Sequence, residues 1–518
     1  MLTRTNKLLL SLRDSPPKGD NRLGRAYTAL LFVFSIAVIT VCSKSSPLYP
    51  LNNWDDANCF FTVGKSVVNG QVMYRDIFEQ KGPLLYFLYA VAYVISGNSF
   101  IGAYLIEIIC CFFFLFYSAK IITLFCDIKA VLLLPLVSIS VFAAPAFEQG
   151  GSAEELCLPM ITYAFYVGLK SIVHKTPVTP REWIIVGITS GAVLWIKFSL
   201  LGFYIGCGAF MVFFYIAQKW HNELLNFFVF LMFGEFIISL PVLLYFIIND
   251  AVSDLFEVYF YCNMFIYPVR EVENKLLGLI LNIHEGTKSC LYSFGVGCGF
   301  IIAGAVYAFI RSKKLFIFVI SSLVSSYLLI YAGGRRYTYY SLILAVFLSL
   351  GIVMLYKLLQ LIPLKKLYQN KTERKALACI CSAGTVIVSV SAVYALSPNT
   401  YMMTYSRTEL PQYKFGEVIS KTEDATLLNY KFLDGGFYTV GEVVPNCRFF
   451  CGLNIPYALD EQDKYIRSGK VDYVISCGTR YYFENYEYVC CESFESHRDS
   501  YCTYYLYKKK DSAPIKVV

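Results

Sequence analysis

The sequence predicts an all-α polytopic membrane protein with about eleven transmembrane helices, interfacial helices in its first outer loop, and a small C-terminal extracytoplasmic α/β domain. Three observations carry this. Of 518 residues, 57% are AVILMFWYC and only 16% are charged; a soluble domain carries about 25% charge, so most of this surface faces something other than water. Many apolar stretches approach the ~20 residues that cross a hydrocarbon core. Beyond residue 396 the composition becomes that of a soluble domain.

In chain order, residues 1–26 form a polar cytoplasmic tail holding Arg4, Lys7, Arg13, Lys18, Arg22 and Arg25. The run 27–46 that follows reads as a retained anchor, because both the basic tail and the run are long for a cleaved signal. Further spans fall at 101–125, 129–145, 157–174, 183–196, 199–217, 225–248, 289–310, 315–332, 338–356 and 376–396. The segment 83–97 is apolar but short for a crossing. Leaving it uncounted puts 20 Lys and Arg in 73 residues of one set of connections, against 10 in 115 of the other. Counting it sends the basic loops 311–314 and 357–375 outward, against the positive-inside rule. It is therefore placed as an interfacial helix on the outer face, where Tyr86, Tyr89 and Tyr93 suit headgroup depth. The transmembrane core then covers 27–396, and the domain 397–518 is outside.

In that domain, Ala425–Leu428, Val471–Ile475 and Tyr504–Tyr507 read as strands, with helices near 411–421 and 459–469. It shows no phosphate loop and no nucleophile elbow, so its expected role is structural or substrate-positioning. Its six cysteines, Cys447, Cys451, Cys477, Cys490, Cys491 and Cys502, allow up to three disulfides. The other twelve lie mostly in apolar spans, where they pack as small hydrophobes. Four His with no tight Cys/His cluster disfavour a structural zinc site. The net charge of +8 is accounted for by loop orientation, so nucleic acid is not expected as a partner.

Chemistry at a membrane face needs a carboxylate to take a proton and cations to hold an anionic leaving group. The outer segments hold Asp55, Asp56, Asp76, Glu79, Glu148, Glu154 and Glu155, with Lys81 in the same loop as the first four. A carboxylate pair such as Asp55-Asp56 is, in isolation, more often two solvated acids. Its neighbours change that: Tyr74-Arg75-Asp76 is followed by Lys81-Gly82-Pro83, and Pro83 suits the first position of the interfacial helix. That sets Lys81 at the depth of a lipid phosphate.

The first-loop acid, the Gly…Gly…Tyr-Arg-Asp spacing, the Lys-Gly-Pro-Leu-Leu-Tyr run and the polar tail resemble the glycosyltransferase-C superfamily. The most similar branch is that of protein O-mannosyltransferases and lipid A aminoarabinose transferases. The resemblance covers mainly residues 50–160. It implies transfer of a sugar, with inversion, from a polyprenyl-phosphate-linked donor to a cell-envelope acceptor, whether glycan, lipid or protein, at a bacterial plasma membrane among whose lipids the chain sits. It favours Asp56 as the catalytic acid, with Asp55 the alternate, and puts either Glu154 or Glu155 in the place of the second acid. Lys81 and Arg75 match donor-phosphate positions, as do Arg335 and Arg336 in Gly334-Arg335-Arg336-Tyr337-Thr338-Tyr339-Tyr340. Tyr74, Asp76 and Tyr339 match substrate-binding positions, with Tyr339 standing where His is common. No organic cofactor is called for, and the carboxylates near Lys81 leave a divalent metal ion open.

Three rival classes remain, one of them a purely structural or receptor role that the six-cysteine outer domain keeps open. A transporter or flippase of lipid-linked glycans would show intramembrane charge and repeats; Glu107 and Lys197 lie near span ends, only Glu235 is deep, and no repeat is visible. A polysaccharide ligase or polymerase uses similar donors and would be marked by a long late outer loop, for which 249–288 is of medium length. An aromatic between Tyr259 and Tyr267 is placed to stack on a sugar, although aromatic stretches here more often serve packing.

Overall fold

The computed structural model describes residues 23–269, 272–361, 371–453, 455, 457–497 and 500–511, with backbone alone for 371–383 and 496–497. The basic tail up to Arg22 and the pair Lys365-Lys366 lie outside the described residues.

Among the described residues, eight helical runs are long and apolar enough to cross a membrane: Arg25–Cys42, Ile101–Phe125, Ala153–His174, Pro180–Ala217, His221–Ile248, Lys275–Arg311, Lys313–Tyr331 and Thr338–Leu359. Shorter apolar helices cover Pro83–Ser96, Ile128–Phe142 and Gly384–Leu396. The first of these is the segment withheld from the span count, with Pro83 at the helix start as read from sequence.

Pro180–Ala217 is two helices. Thr179 and Glu182 close a capping box at its start, and Lys197 interrupts it with extended backbone at φ −160°, ψ 95°. The first half, Pro180–Lys197, runs parallel to His221–Ile248. Trp183 meets Phe227 at 4.7 Å, Gly187 faces Leu231 and Gly234, and Trp195 Nε1 donates to Ser239 Oγ at 2.8 Å, three contacts that advance together along both helices. The second half, Gly202–Ala217, runs back, so that the Tyr215 hydroxyl accepts from the Val178 N–H at 3.0 Å.

Two expectations need correction. The run Lys275–Arg311 is two helices that meet at a kink at Phe294, where φ is −139° and ψ 30°. The first, capped by Asn274, which accepts from the N–H groups of Leu276 and Leu277, lies where a loop was expected, and the helix expected at 289–310 is broken at Phe294. The loop expected over 249–288 is therefore largely helical, since Leu255–Ile266 forms a π-helix ahead of it.

The tail carries a four-stranded sheet in the order β1-β2-β4-β3, with β1 Leu427–Tyr430, β2 Tyr473–Cys477, β3 Tyr486–His497 and β4 Ser500–Lys509. β1 and β2 are parallel, with Leu427 opposite Tyr473; β2, β4 and β3 are antiparallel. The long β3–β4 hairpin was only half foreseen, since its β3 half mixes Glu and Cys where a strand pattern was sought. One disulfide, Cys477–Cys502, is formed; Cys447, Cys451, Cys490 and Cys491 are free thiols. The sheet and its loops rest on the first loop: Phe78 N–H donates to the Arg448 carbonyl at 2.9 Å, and Lys65 Nζ to that of Tyr438 at 2.9 Å.

The parallel helix pair depends on small residues. A Cβ at Gly234 would stand 2.1 Å from the Ile184 carbonyl oxygen, whereas one at Gly208 meets only the Phe227 ring at 3.7 Å. Gly234→Leu is therefore expected to cost on the order of 1–3 kcal/mol or more by overpacking, read as a fall of several degrees in the melting temperature of the detergent-solubilised protein. Gly208→Ala leaves it within a degree or two.

Candidate functional site

Four segments converge where the C-terminal domain covers the bundle. The first is the Asp55–Val68 helix. Asn52 Oδ1 accepts from the Trp54 N–H at 3.0 Å, and Asn58 Nδ2 donates to the Asn52 and Trp54 carbonyls at 2.9 Å each, fixing where the helix starts. Asp55 and Asp56 thus fall in its first turn, where unpaired N–H groups favour negative charge. Asp56 Oδ2 accepts from the Tyr339 hydroxyl at 2.9 Å.

The second is the stretch from Tyr74 to Gly82. Tyr74 adopts a left-handed φ of 68°, stacks on Phe246 at 5.5 Å, and donates its hydroxyl to the Lys81 carbonyl at 2.6 Å. The Gly82 N–H donates to the Ile196 carbonyl at 3.1 Å. A Cβ at position 82 would come within 2.0 Å of the Trp195 carbonyl oxygen, so only glycine lets this loop meet the break at Lys197. Lys81 is delivered there. Burial works against its ammonium, but Asp56 and then Glu79 outweigh that and hold its pKa well above the usual lysine range.

The third is the turn into Ala153–His174. Gly150 and Gly151 take left-handed φ values of 92° and 85°, and Ser152 caps the helix by accepting from the Glu155 N–H at 3.0 Å. This phase separates the two candidate acids. Glu154, 1% exposed, pairs with Lys197, whose ammonium lies 3.9 Å above the Tyr340 ring. Glu155 turns to the other side, accepts from the Gly151 N–H at 2.8 Å, and lies in the field of Glu107.

The fourth joins residues 267 and 333–340. The Arg335 guanidinium lies 4.4 Å over the Tyr267 ring and donates to the Tyr267 carbonyl at 3.2 Å. Tyr337 stacks on Tyr339 at 5.4 Å.

These segments border a cavity of about 930 Å³. Its polar lining includes Gln80, Lys81, Lys197, Asn263, Tyr267 and Arg335; its apolar lining includes Met264, Val272, Leu279, Leu329 and Ile330. Asp56 stands behind the lining, one residue from it through Tyr339 and Tyr340. Tyr259 also lines the cavity, but its hydroxyl donates to the Leu194 carbonyl and accepts from the Phe198 N–H, which holds the Lys197 break.

Of the residues singled out from sequence, Lys81 and Arg335 line the cavity, while Asp56, Tyr339 and Glu154 stand behind it, joined to it through the Asp56–Tyr339 hydrogen bond and the Glu154–Lys197 pair. Arg75 and Asp76 do not line the cavity: they pair with each other at 3.0 Å, Arg75 donates to the Asn249 carbonyl, and Asp76 closes the turn by accepting from the Val72 N–H. Arg336 lies outside the lining, its carbonyl accepting from Ser289 Oγ at 3.1 Å. Tyr74 acts through the backbone of Lys81. Among the described residues, no three His, Cys, Asp or Glu side chains assemble as a metal-holding group.

Sequence reasoning did not assign four groups here. Lys197 was visible as a charge ending an apolar run, but was weighed only as a transport residue. Buried Lys44 donates to Asn53 Oδ1 at 2.8 Å and the Tyr401 hydroxyl at 3.2 Å. Burial lowers its pKa to about 7, against the pull of Glu148 and Glu495. Glu148 is raised to about 7 by burial and then by Asp56. Asp434, which accepts from Thr62 Oγ1 and the Gly436 N–H, is raised to about 6 by burial. Asp55 itself is raised to about 7 by burial, then by Asp56 and Asp434.

The fold is shared with ArnT from Cupriavidus metallidurans. Its apo crystal structure matches with a TM-score of 0.57 at 11% sequence identity, covering 87% of this chain and 93% of that one. Its structure bound to undecaprenyl phosphate matches at 0.58 and 11% identity, covering 93% and 98%. At that identity the likeness shows the fold alone. The chain matches no protein-family profile and no curated protein.

The shifted groups give stability a defined pH dependence. Asp55, Glu148 and Asp434 keep protons in the folded state that the unfolded chain releases near pH 4, so each lowers stability as pH rises from about 4 to its folded value. Lys44 acts in the other direction, returning stability as pH rises above about 7. Melting temperature is expected to fall between pH 5 and pH 7, and to fall less steeply in Asp55→Asn. Partial exposure keeps the Asp55 contribution below the ceiling of about 1.4 kcal/mol per pH unit.

Proposed function

We propose that this protein is a membrane glycosyltransferase that moves a sugar from a polyprenyl-phosphate-linked donor to a hydroxyl acceptor of the cell envelope. The reaction takes place at the outer face, with the N-terminus cytoplasmic and the C-terminal domain outside. The observation that carries the reading is the cavity: its lining combines apolar side chains, as a prenyl chain requires, with Lys81, Lys197 and Arg335, and Tyr340 joins it to the Asp56–Tyr339 pair. The ArnT structure bound to undecaprenyl phosphate has the same fold and supports a carrier of that chemistry.

In this reading the acceptor oxygen attacks the anomeric carbon while Asp56 takes its proton. The bond from the anomeric carbon to the phosphate oxygen breaks, and the lipid phosphate leaves toward Lys81 and Arg335, whose fixed charge stabilises it. Tyr339 orients Asp56 by the hydrogen bond it donates. Glu154 is the second acid of the site and acts by keeping Lys197 in place; Glu155 faces elsewhere. Arg75 and Asp76 shape the loop.

The test is transfer by purified protein in nanodiscs from a panel of radiolabelled polyprenyl-phosphate sugars, with and without a chelator to decide the divalent ion. Asp56→Asn is expected to lose about a hundredfold or more, the scale of a general base, and Lys81→Ala a comparable factor. Tyr339→Phe is expected to lose about tenfold, with a shifted pH profile, because only orientation is removed. Full activity in Asp56→Asn moves the base to Asp55 or Glu154. Folded protein that consumes no single-sugar donor points instead to a glycan ligase or a flippase.

A further inference from the structure

We propose that Cys59 and Cys451 become a disulfide, tying the helix that carries Asp55 and Asp56 to the C-terminal domain. Their Sγ atoms lie 3.8 Å apart, 392 residues distant in sequence, and the two residues are 2% and 0% exposed. Cys59 is one helical turn from Asp56, and Cys451 follows Phe450, whose carbonyl accepts from the Asn429 N–H of β1.

Contacts that do not involve sulfur hold the two segments in register. Thr62 Oγ1 donates to Asp434, Lys65 Nζ to the Tyr438 carbonyl, and Arg448 Nε to the Tyr74 carbonyl at 3.0 Å. The approach of the thiols is therefore imposed by the surrounding backbone, and small side-chain movements close the remaining gap. The same domain already holds the Cys477–Cys502 disulfide, and the proposal places its maturation in a compartment where disulfides form and persist. Cys447 is directed elsewhere, toward the Phe449 carbonyl.

The chemistry balances as thiol–disulfide exchange. A thiolate at one cysteine attacks the disulfide of a thioredoxin-like oxidant to give a mixed disulfide, and the second thiolate displaces it. The pair loses two electrons and two protons, and the oxidant leaves as a dithiol. Because both thiols are buried once the domain has docked, exchange precedes complete docking. The proposal stands apart from the transferase reading, since it concerns how two segments are joined whatever the site does.

The test uses the full-length protein in membranes, alkylated with N-ethylmaleimide under denaturing, non-reducing conditions, digested, and mapped by mass spectrometry. The expected result is a Cys59-containing peptide joined to the Cys451-containing one, released by reductant and lost in Cys59→Ser. Alkylation of both cysteines without reduction, or a bond from either to another cysteine, overturns the proposal. A second measurement follows stability. Reductant is expected to lower the melting temperature of the wild type by several degrees more than that of the Cys59→Ser/Cys451→Ser double variant, and an equal drop in both overturns it.

Discussion

Charge taken out of water must be answered by other charge or by hydrogen bonds, and the covered end of this bundle is organised by that requirement. Glu154 is answered by Lys197, Asp56 by the Tyr339 hydroxyl and the field of Lys81, and Lys44 by Asn53 and Tyr401. The compensation is incomplete. Asp55 and Glu148 are left with pKa values pushed up to about 7, and Lys44 with one pulled down to about the same value. Groups displaced in this way cluster at functional sites and in structural charge networks alike.

Backbone geometry creates the cation side of this arrangement. Extended backbone at Lys197 breaks an otherwise continuous helical run, and the bare Cα of Gly82 lets the first loop reach that break. Two lysines from distant parts of the chain thereby line one cavity, although like charges repel. The acids Asp56 and Glu154 make their proximity tolerable, so the anionic and cationic halves of the site each depend on the other.

Much of this was legible before any coordinates. Apolar run length located eight helical runs that are long and apolar enough to cross a membrane, while the spans expected at 129–145 and 376–396 are shorter apolar helices among the described residues. The Tyr-Arg-Asp and Lys-Gly-Pro elements marked the loop that carries Asp56 and Lys81. What was not legible has specific causes. Adjacent residues on a helix point about 100° apart, so Glu154 and Glu155 could not be told apart until the Ser152 cap fixed the helical phase. The helix that runs from Lys275 to the kink at Phe294 was read as loop, because Lys275, His284, Glu285 and Lys288 interrupt its apolar residues. Arg75, matched to a phosphate position by its motif, is drawn off by the adjacent Asp76. Asp434 left no local signal, because its partner Thr62 lies 372 residues away.

That last separation has a consequence for biosynthesis. Helices that span a membrane enter it in order as the chain is made, so the loop bearing Asp56 and Lys81 emerges well before its roof, with Asp434, Tyr438 and Arg448, is translated. Until then Thr62, Lys65 and the Tyr74 turn lack the partners that fix them. A nascent chain therefore carries Asp55 and Asp56 without the setting that orients them, and the order of synthesis makes the covered end of the bundle the last part of this arrangement to close.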